Sequence, residues 1–282
     1  MERTWSKKLR VMLAPSLFKL CIILYLFIII FPFIWILLTS FKPEHEIWGI
    51  SALRPFSKNP TLINYIEVFR KEILRALTNS LIVTSITTFY ITVVAALIAY
   101  AIARLEFKGK NLLLSIILAT SFFPQMITVG PIYVLFQRLN LLNSYWVVLP
   151  YSSITLPVAT FILTTHFKKI PKAIEESAMI DGASQFTILY RIIMPLALPG
   201  IFVAAIIVFI TAWNEFLLSL TLNTDHQYQT APVWITFLRG QFNVFWGQVA
   251  AGTTIVTIPT LIIVLLFQKQ IIAGLTSGSV KE

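Results

Sequence analysis

Three histidines, one cysteine and twelve acidic residues are all that this 282-residue chain offers to acid-base, nucleophilic or metal chemistry. His45, His166 and His226 fall in or next to separate loops, and Cys21 stands alone in an apolar run. No spacing gathers His, Cys and carboxylates into a metal-ligand set or sets a nucleophile beside a base. No G-x-x-x-x-G-K-[ST] loop is present to cradle phosphates. Catalytic residues and a metal site are therefore not expected, and a lone Cys allows no intrachain disulfide.

Two places remain where side-chain chemistry could matter. Glu215, in "TAWNEFLLS", is the only acid within a long apolar run, and an ionisable group inside a membrane is a functional suspect by default. With Trp213 and Asn214 it would offer a stacking face and hydrogen bonds suited to a sugar, which makes these three the candidate substrate path. The same carboxylate could instead titrate in an ion- or proton-coupled secondary transporter. It could also sit wetted or paired near the end of its span and serve packing alone.

The second place is "KKIPKAIEESAMIDGASQFTILYRIIMP", residues 168–195, which carries seven charged side chains in an otherwise greasy chain. Pro171 suits a first helical turn, and Glu175 and Glu176 lie near the positive end of the helix that follows. Gly182 can adopt the left-handed conformation that ends a helix, and Ser184 is a good N-cap for a second helix reaching about Met194. Ile170, Ile174 and Ala178 recur every four residues on the first helix, as do Ile188 and Ile192 on the second, so each has an apolar face needing a partner.

The surroundings define where this segment sits. The chain is 57% hydrophobic and 12% charged, with a mean hydropathy of +0.82, too apolar for a soluble domain. Six runs, near residues 20–39, 78–103, 111–136, 144–165, 199–220 and 249–267, are long enough to cross a bilayer as helices. Five of them hold no Asp, Glu, Lys or Arg, and the fifth in order holds Glu215. The expected fold class is an all-α integral membrane protein with six transmembrane helices. Pro32, Pro124, Pro131, Pro150, Pro157 and Pro259 are expected to interrupt the spans.

Lys and Arg outside the runs number 14 on the side holding both termini and residues 166–198, against 8 on the other. The positive-inside rule then puts both termini and this segment in the cytoplasm. A basic N-terminus before an apolar run also resembles a signal peptide, but the run is long and reads as an uncleaved anchor. A DNA-binding helix-turn-helix would have to reach DNA from the bilayer surface, and three acids near the segment's centre would be repelled by anionic headgroups if it merely lay on lipid. Nucleic acid is not an expected partner.

The segment resembles the EAA signature of binding-protein-dependent ABC importer permeases, E-A-A, three residues, G, nine residues, I-x-L-P. It falls on Glu176, Ser177 and Ala178, then Gly182, then Ile192, Met194 and Pro195, with both spacings kept and with Ser177 and Met194 as departures. "FPFIWILLTSFKP", "AYAIARLEFKGK", "LNLLNSYWVVLPY", "AWNEFLLSLTL" and "FQKQIIAGLTSGSVKE" are similar to the carbohydrate class, in particular the six-span maltose-permease-like partner. The resemblance implies a type I ABC importer permease fold in the cell membrane. It implies a second, unlike permease subunit, an ABC ATPase dimer that binds ATP and Mg, and an extracytoplasmic sugar-binding protein. This chain itself would need no cofactor. Glu175, Glu176, Ser177, Ala178, Asp181, Gly182, Ile192 and Pro195 would form the ATPase-coupling site.

The organisation expected is an N-terminal segment, first span and external loop over 1–77, a five-helix core over 78–270 and a tail over 271–282. Loop 221–248, rich in aromatics, is expected to face outward and touch the binding protein, or to form an interfacial belt. The tail, with two glycines and small polar residues, needs a partner to order it, which by the resemblance would be the ATPase.

Overall fold

The computed structural model describes residues 2–239 and 244–276, with side chains from 18 to 272 outside that gap. In chain order the α-helices are α1 (Glu2–Ser40), α2 (Ile63–Arg70), α3 (Ile73–Arg104), α4 (Lys110–Thr120), α5 (Gln125–Arg138), α6 (Ser152–Lys169), α7 (Lys172–Ile180), α8 (Gln185–Ile188), α9 (Met194–Leu196), α10 (Leu198–Trp213), α11 (Leu217–Leu222), α12 (Ala231–Thr236) and α13 (Trp246–Thr276). Of the expected tail, 271–282, residues 277–282 lie outside the described residues, and 271–276 continue α13.

Among the described residues, four stretches are long and apolar enough to cross a membrane: Phe18–Ser40, Ile73–Arg104, Tyr145–Lys169 and Trp246–Ile272. Two bent pairs bring the number to six when each is counted as one span: α4 with α5, at 91°, and Gln185–Leu196 with α10, at 77°. The run at 111–136 is thus not one continuous helix. Pro124 is extended (φ −60, ψ 123) at the N-cap of α5, and its ring disfavours helical backbone in the residue before it. Pro32, Pro131, Pro157 and Pro259, by contrast, lie inside helices that continue past them. Of the expected breaks, the sharp one is at Pro124, and Pro150 lies in the turn between the 3-10 turn at Tyr145–Val148 and α6; at the other four, neighbouring helices and local adjustment re-satisfy the backbone.

The chain divides into two compact units, residues 1–71 with 238–255, and residues 72–237 with 256–282. In the first, Lys42 is almost fully buried, donating to the carbonyls of Arg54 (2.6 Å) and Ala52 (3.2 Å) with its Nζ 4.9 Å from the centre of the Trp35 ring. Asn64 donates to the carbonyls of Ser40 and Lys42 (2.9 and 2.8 Å). Glu46 accepts from the Ser57 hydroxyl and the Lys58 N–H, and the Ser57 bond holds its pKa below the usual glutamate value. The charge-rich loop after α1 is therefore knitted shut by polar groups that close on backbone.

The second unit is built on α3, α6 and α10. Ala95, Ala96 and Ala99 on α3, Ala159, Leu163 and Phe167 on α6, and Ala204 and Val208 on α10 form one buried cluster. Small residues at these positions let helix backbones approach closely, which is where packing gains arise when lipid tails are as apolar as Leu. The same cluster takes in Ala178, Ile188, Leu189 and Ile193, so the polar segment is seated on the helix bundle. Across its 32 residues α3 contains neither Gly nor Pro.

Candidate coupling segment and transport path

At the end of α6, Ile170 turns extended (φ −72, ψ 127) ahead of Pro171, which is the N-cap of α7 rather than part of its first turn. The helix stops at Asp181. Gly182 takes φ +81, its N–H donates to Met179 O (3.0 Å), and the Ala183 N–H reaches back to Ala178 O (3.0 Å). This pair of bonds is a Schellman motif, which satisfies carbonyls that a helix end otherwise leaves open. Ser184 then caps the next turn by accepting from the Thr187 N–H (3.2 Å).

The second helix is not uniform. After one turn of α8 it widens into a π turn over Leu189–Ile193, in which the Met194 N–H bonds Leu189 O, before the short α9. Pro195 comes two residues after the widened turn ends at Ile193. It has no N–H to give and its ring needs the space of the carbonyl four residues back, so a wider turn there relieves both problems.

These turns sort the candidate coupling residues by face. Glu176, Ser177, Asp181 and Gly182 are exposed, together with Met179, Ile180, Phe186 and Tyr190. Ala178 is buried, Ile192 is half-buried and Pro195 is exposed. Ile174 is 39% exposed, so the expected stripe through Ile170, Ile174 and Ala178 does not hold. Glu175 takes the inward place instead, three residues before Ala178. Its carboxylate pairs with the Arg104 guanidinium at the end of α3, and the two side chains are only 6% and 5% exposed. Arg104 also donates to Ile170 O (2.6 Å). Sequence reasoning counted Arg104 as a loop charge; nothing in its spacing marked a partner seventy residues on.

The candidate path is rearranged as well. Trp213 is buried, stacked on Phe209 (5.9 Å between centroids) with its indole N–H on Val256 O (3.2 Å), so it offers no free face. The Glu215 carboxylate accepts from the N–H groups of Leu218 (2.8 Å) and Ser219 (3.1 Å), capping α11. Asn214 is exposed, with its amide on Ile210 O (2.8 Å), and lines a cleft of about 340 Å³ with Gln125, Thr211 and Glu215. Gln125 and Thr211 also border a cleft of about 290 Å³ that adds Ser121, Thr128, Ser153 and Thr155. These hydroxyl and amide groups gather where the chain bends at Pro124. Polar residues on both sides of that proline, in "ATSFFPQMITVG", were the available signal.

At the opposite end of α3 from Arg104, Asn79 donates to the carbonyls of Gln227 (2.9 Å) and Gln229 (3.0 Å) and accepts from the Tyr145 hydroxyl (2.8 Å). Ser80 accepts from the Ala231 N–H, and Asn223 accepts from the Ser144 N–H. The segment after α11 is thus tied to α3 by side chains rather than left as a free loop, while Thr224, Asp225, His226 and Gln227 remain exposed.

Residues 91–276 match the family described as the binding-protein-dependent transport system inner membrane component, and the chain belongs to that family. It is 40% identical over 264 residues to the trehalose/maltose transport system permease protein MalG of Thermococcus litoralis, covering 92% of this chain and 94% of that one. It is 39% identical over 254 residues to the sulfoquinovosyl glycerol transport system permease protein SmoH of Agrobacterium fabrum, covering 89% of each. The trehalose permease protein SugB of Mycobacterium tuberculosis is 40% identical, with 89% of this chain and 92% of that one aligned. A crystal structure of a bacterial ABC transporter that imports alginate superposes with a TM-score of 0.72 at 20% identity, covering 91% of this chain and 96% of that one. The fold is that of a type I ABC importer permease, and the chain is a multi-pass membrane permease component, not an enzyme.

Proposed function

We propose that the chain is the membrane subunit of an ATP-driven importer that passes a sugar or oligosaccharide from an extracytoplasmic binding protein, and that α7 and α8 are where a separate ATPase grips it. The observation that carries this reading is the outer face of that segment. Glu176, Ser177 and Asp181 stand exposed beside Met179, Ile180, Phe186 and Tyr190, on a helix held rigidly by its Schellman end and seated on the bundle. An exposed mix of apolar anchors and acids on a fixed helix suits a groove in another protein.

Relatives named for trehalose, maltose, sulfoquinovosyl glycerol and diacetylchitobiose support a carbohydrate cargo. A structural neighbour in complex with a periplasmic protein carrying alginate pentasaccharide supports delivery by a binding protein. The clefts around Gln125, Thr211 and Asn214, rich in hydroxyls and amides, would let hydroxylated cargo exchange one set of hydrogen bonds for another. ATP and Mg would be held by the ATPase. The unburied apolar length of α1 suits a second permease subunit or lipid. With both termini and α7 cytoplasmic, as the charge bias supports, Asn79 and residues 224–227 face outward.

Membranes carrying the chain with its co-expressed partners should take up labelled trehalose or maltose only when ATP and the ATPase subunit are present. Uptake driven by an ion gradient without the ATPase would overturn the reading in favour of a secondary transporter. The two backbone bonds that occupy Glu215 speak against that alternative.

A further inference from the structure

Arg104 is the last residue of α3, and its guanidinium does two things at once. It pairs with the Glu175 carboxylate one turn into α7, and it donates to the carbonyl of Ile170, the residue that joins α6 to α7. A guanidinium presents its donors in a fixed planar fork, so holding two acceptors on either side of the Ile170–Pro171 joint fixes the direction in which α7 leaves α6. Both charged side chains are at least 94% buried. Glu175 therefore faces its own subunit, and of the two adjacent acids it is Glu176 that is exposed.

A buried ion pair is a poor device for stability alone, since well-packed apolar residues of similar volume often do as well or better. What apolar residues cannot reproduce is direction. The pair also sits beside Ala178 in the cluster that holds Tyr100, Ala99 and Ala96 of α3, so a displacement of α7 has a stiff contact to push on.

We propose that Arg104 is a positioning residue that carries movement between the coupling segment and α3 by gripping Glu175 and the Ile170 carbonyl together. This rests on the reading of α7 as the segment an ATPase grips.

The test uses the complex purified on a tagged copy of the full chain, in a Cys21→Ser background. An environment-sensitive fluorophore is placed at Thr78→Cys, an exposed site near the far end of α3. The readouts are the ATPase subunit retained and the change in emission on adding ATP with vanadate. Three variants are compared: Arg104→Gln, Glu175→Gln and the double Arg104→Met/Glu175→Met, which removes both buried charges and is expected to fold. Each should retain the ATPase yet lose about 5-fold or more of the emission change, the lower edge of ordinary coupling between sites. A double-Met complex that responds as wild type would overturn the proposal and make the pair simple filling. If Arg104→Gln fails to accumulate, the double variant decides in the same two ways. A wild-type complex that retains no ATPase would instead sink the docking reading; a wild-type response matched by every variant sinks the role of Arg104 alone.

Discussion

Gly182 combines positive φ with open space, and the two together isolate a backbone effect. A Cβ added there meets nothing within 4 Å, so the cost of a side chain comes from φ +81 alone. For a β-branched residue that strain is of order 1–3 kcal/mol. Gly182→Val should therefore fray the Schellman end of α7 while the spans insert normally. The expected complex is present in the membrane, with its partner permease, but retains less ATPase and imports little sugar. Full ATPase retention with wild-type uptake would rule out the turn as a docking requirement. This turn was legible in the sequence, because Gly followed by an N-cap Ser is a local signal. Glu175 was not, since its neighbours say nothing of a guanidinium that arrives from residue 104, and only three-dimensional packing decides which of two adjacent acids turns inward. Glu215 shows the reverse: an acid in grease was conspicuous, but its acceptance of two N–H groups depends on the chain breaking after Trp213.

At the scale of elements, the spans were legible and their bends were not. Apolar length identifies a span, whereas the fate of a proline depends on whether neighbouring helices can satisfy the freed carbonyl; Pro131 and Pro157 are carried and Pro124 is not. Loop 221–248 reads as an outward-facing loop, yet Gln229 and Thr230 are buried and the Gln227 and Gln229 carbonyls are bound to Asn79. Deleting residues 227–232 would tear a packed element. Asn79→Ala is the sharper probe. It leaves the buried Gln229 carbonyl short of a partner, at about 1–3 kcal/mol for such a group, and also frees the part-buried Gln227 carbonyl and Tyr145 hydroxyl. Thermal unfolding of the detergent-purified complex should fall by several degrees, and residues 224–230 should become open to protease. An unchanged melting temperature and cleavage pattern would mean that the loop is held by something other than α3.

For the whole molecule, the outstanding expectation is orientation. A single Cys at exposed His226, in the Cys21→Ser background, should react with an impermeant maleimide from outside cells, and one at exposed Lys172 only after the membrane is opened. The reverse pattern would invert the topology. Composition made the membrane class plain, and the EAA spacing pointed to the family, because both are properties of the linear chain. The boundaries 77/78 and 270/271 followed span ends, whereas the compact units divide at 71/72, 237/238 and 255/256, where contacts rather than hydropathy change. From Asn79 to Arg104, α3 runs 25 residues, roughly 38 Å at the usual helical rise, with no Gly or Pro to soften it. In mechanical terms α3 is a strut with a pinned joint at each end, and the sharp bends of 91° and 77° lie outside it. Load applied at one joint is then delivered at the other as displacement, and of the two bends it is the one at Pro124 that lies beside the polar clefts.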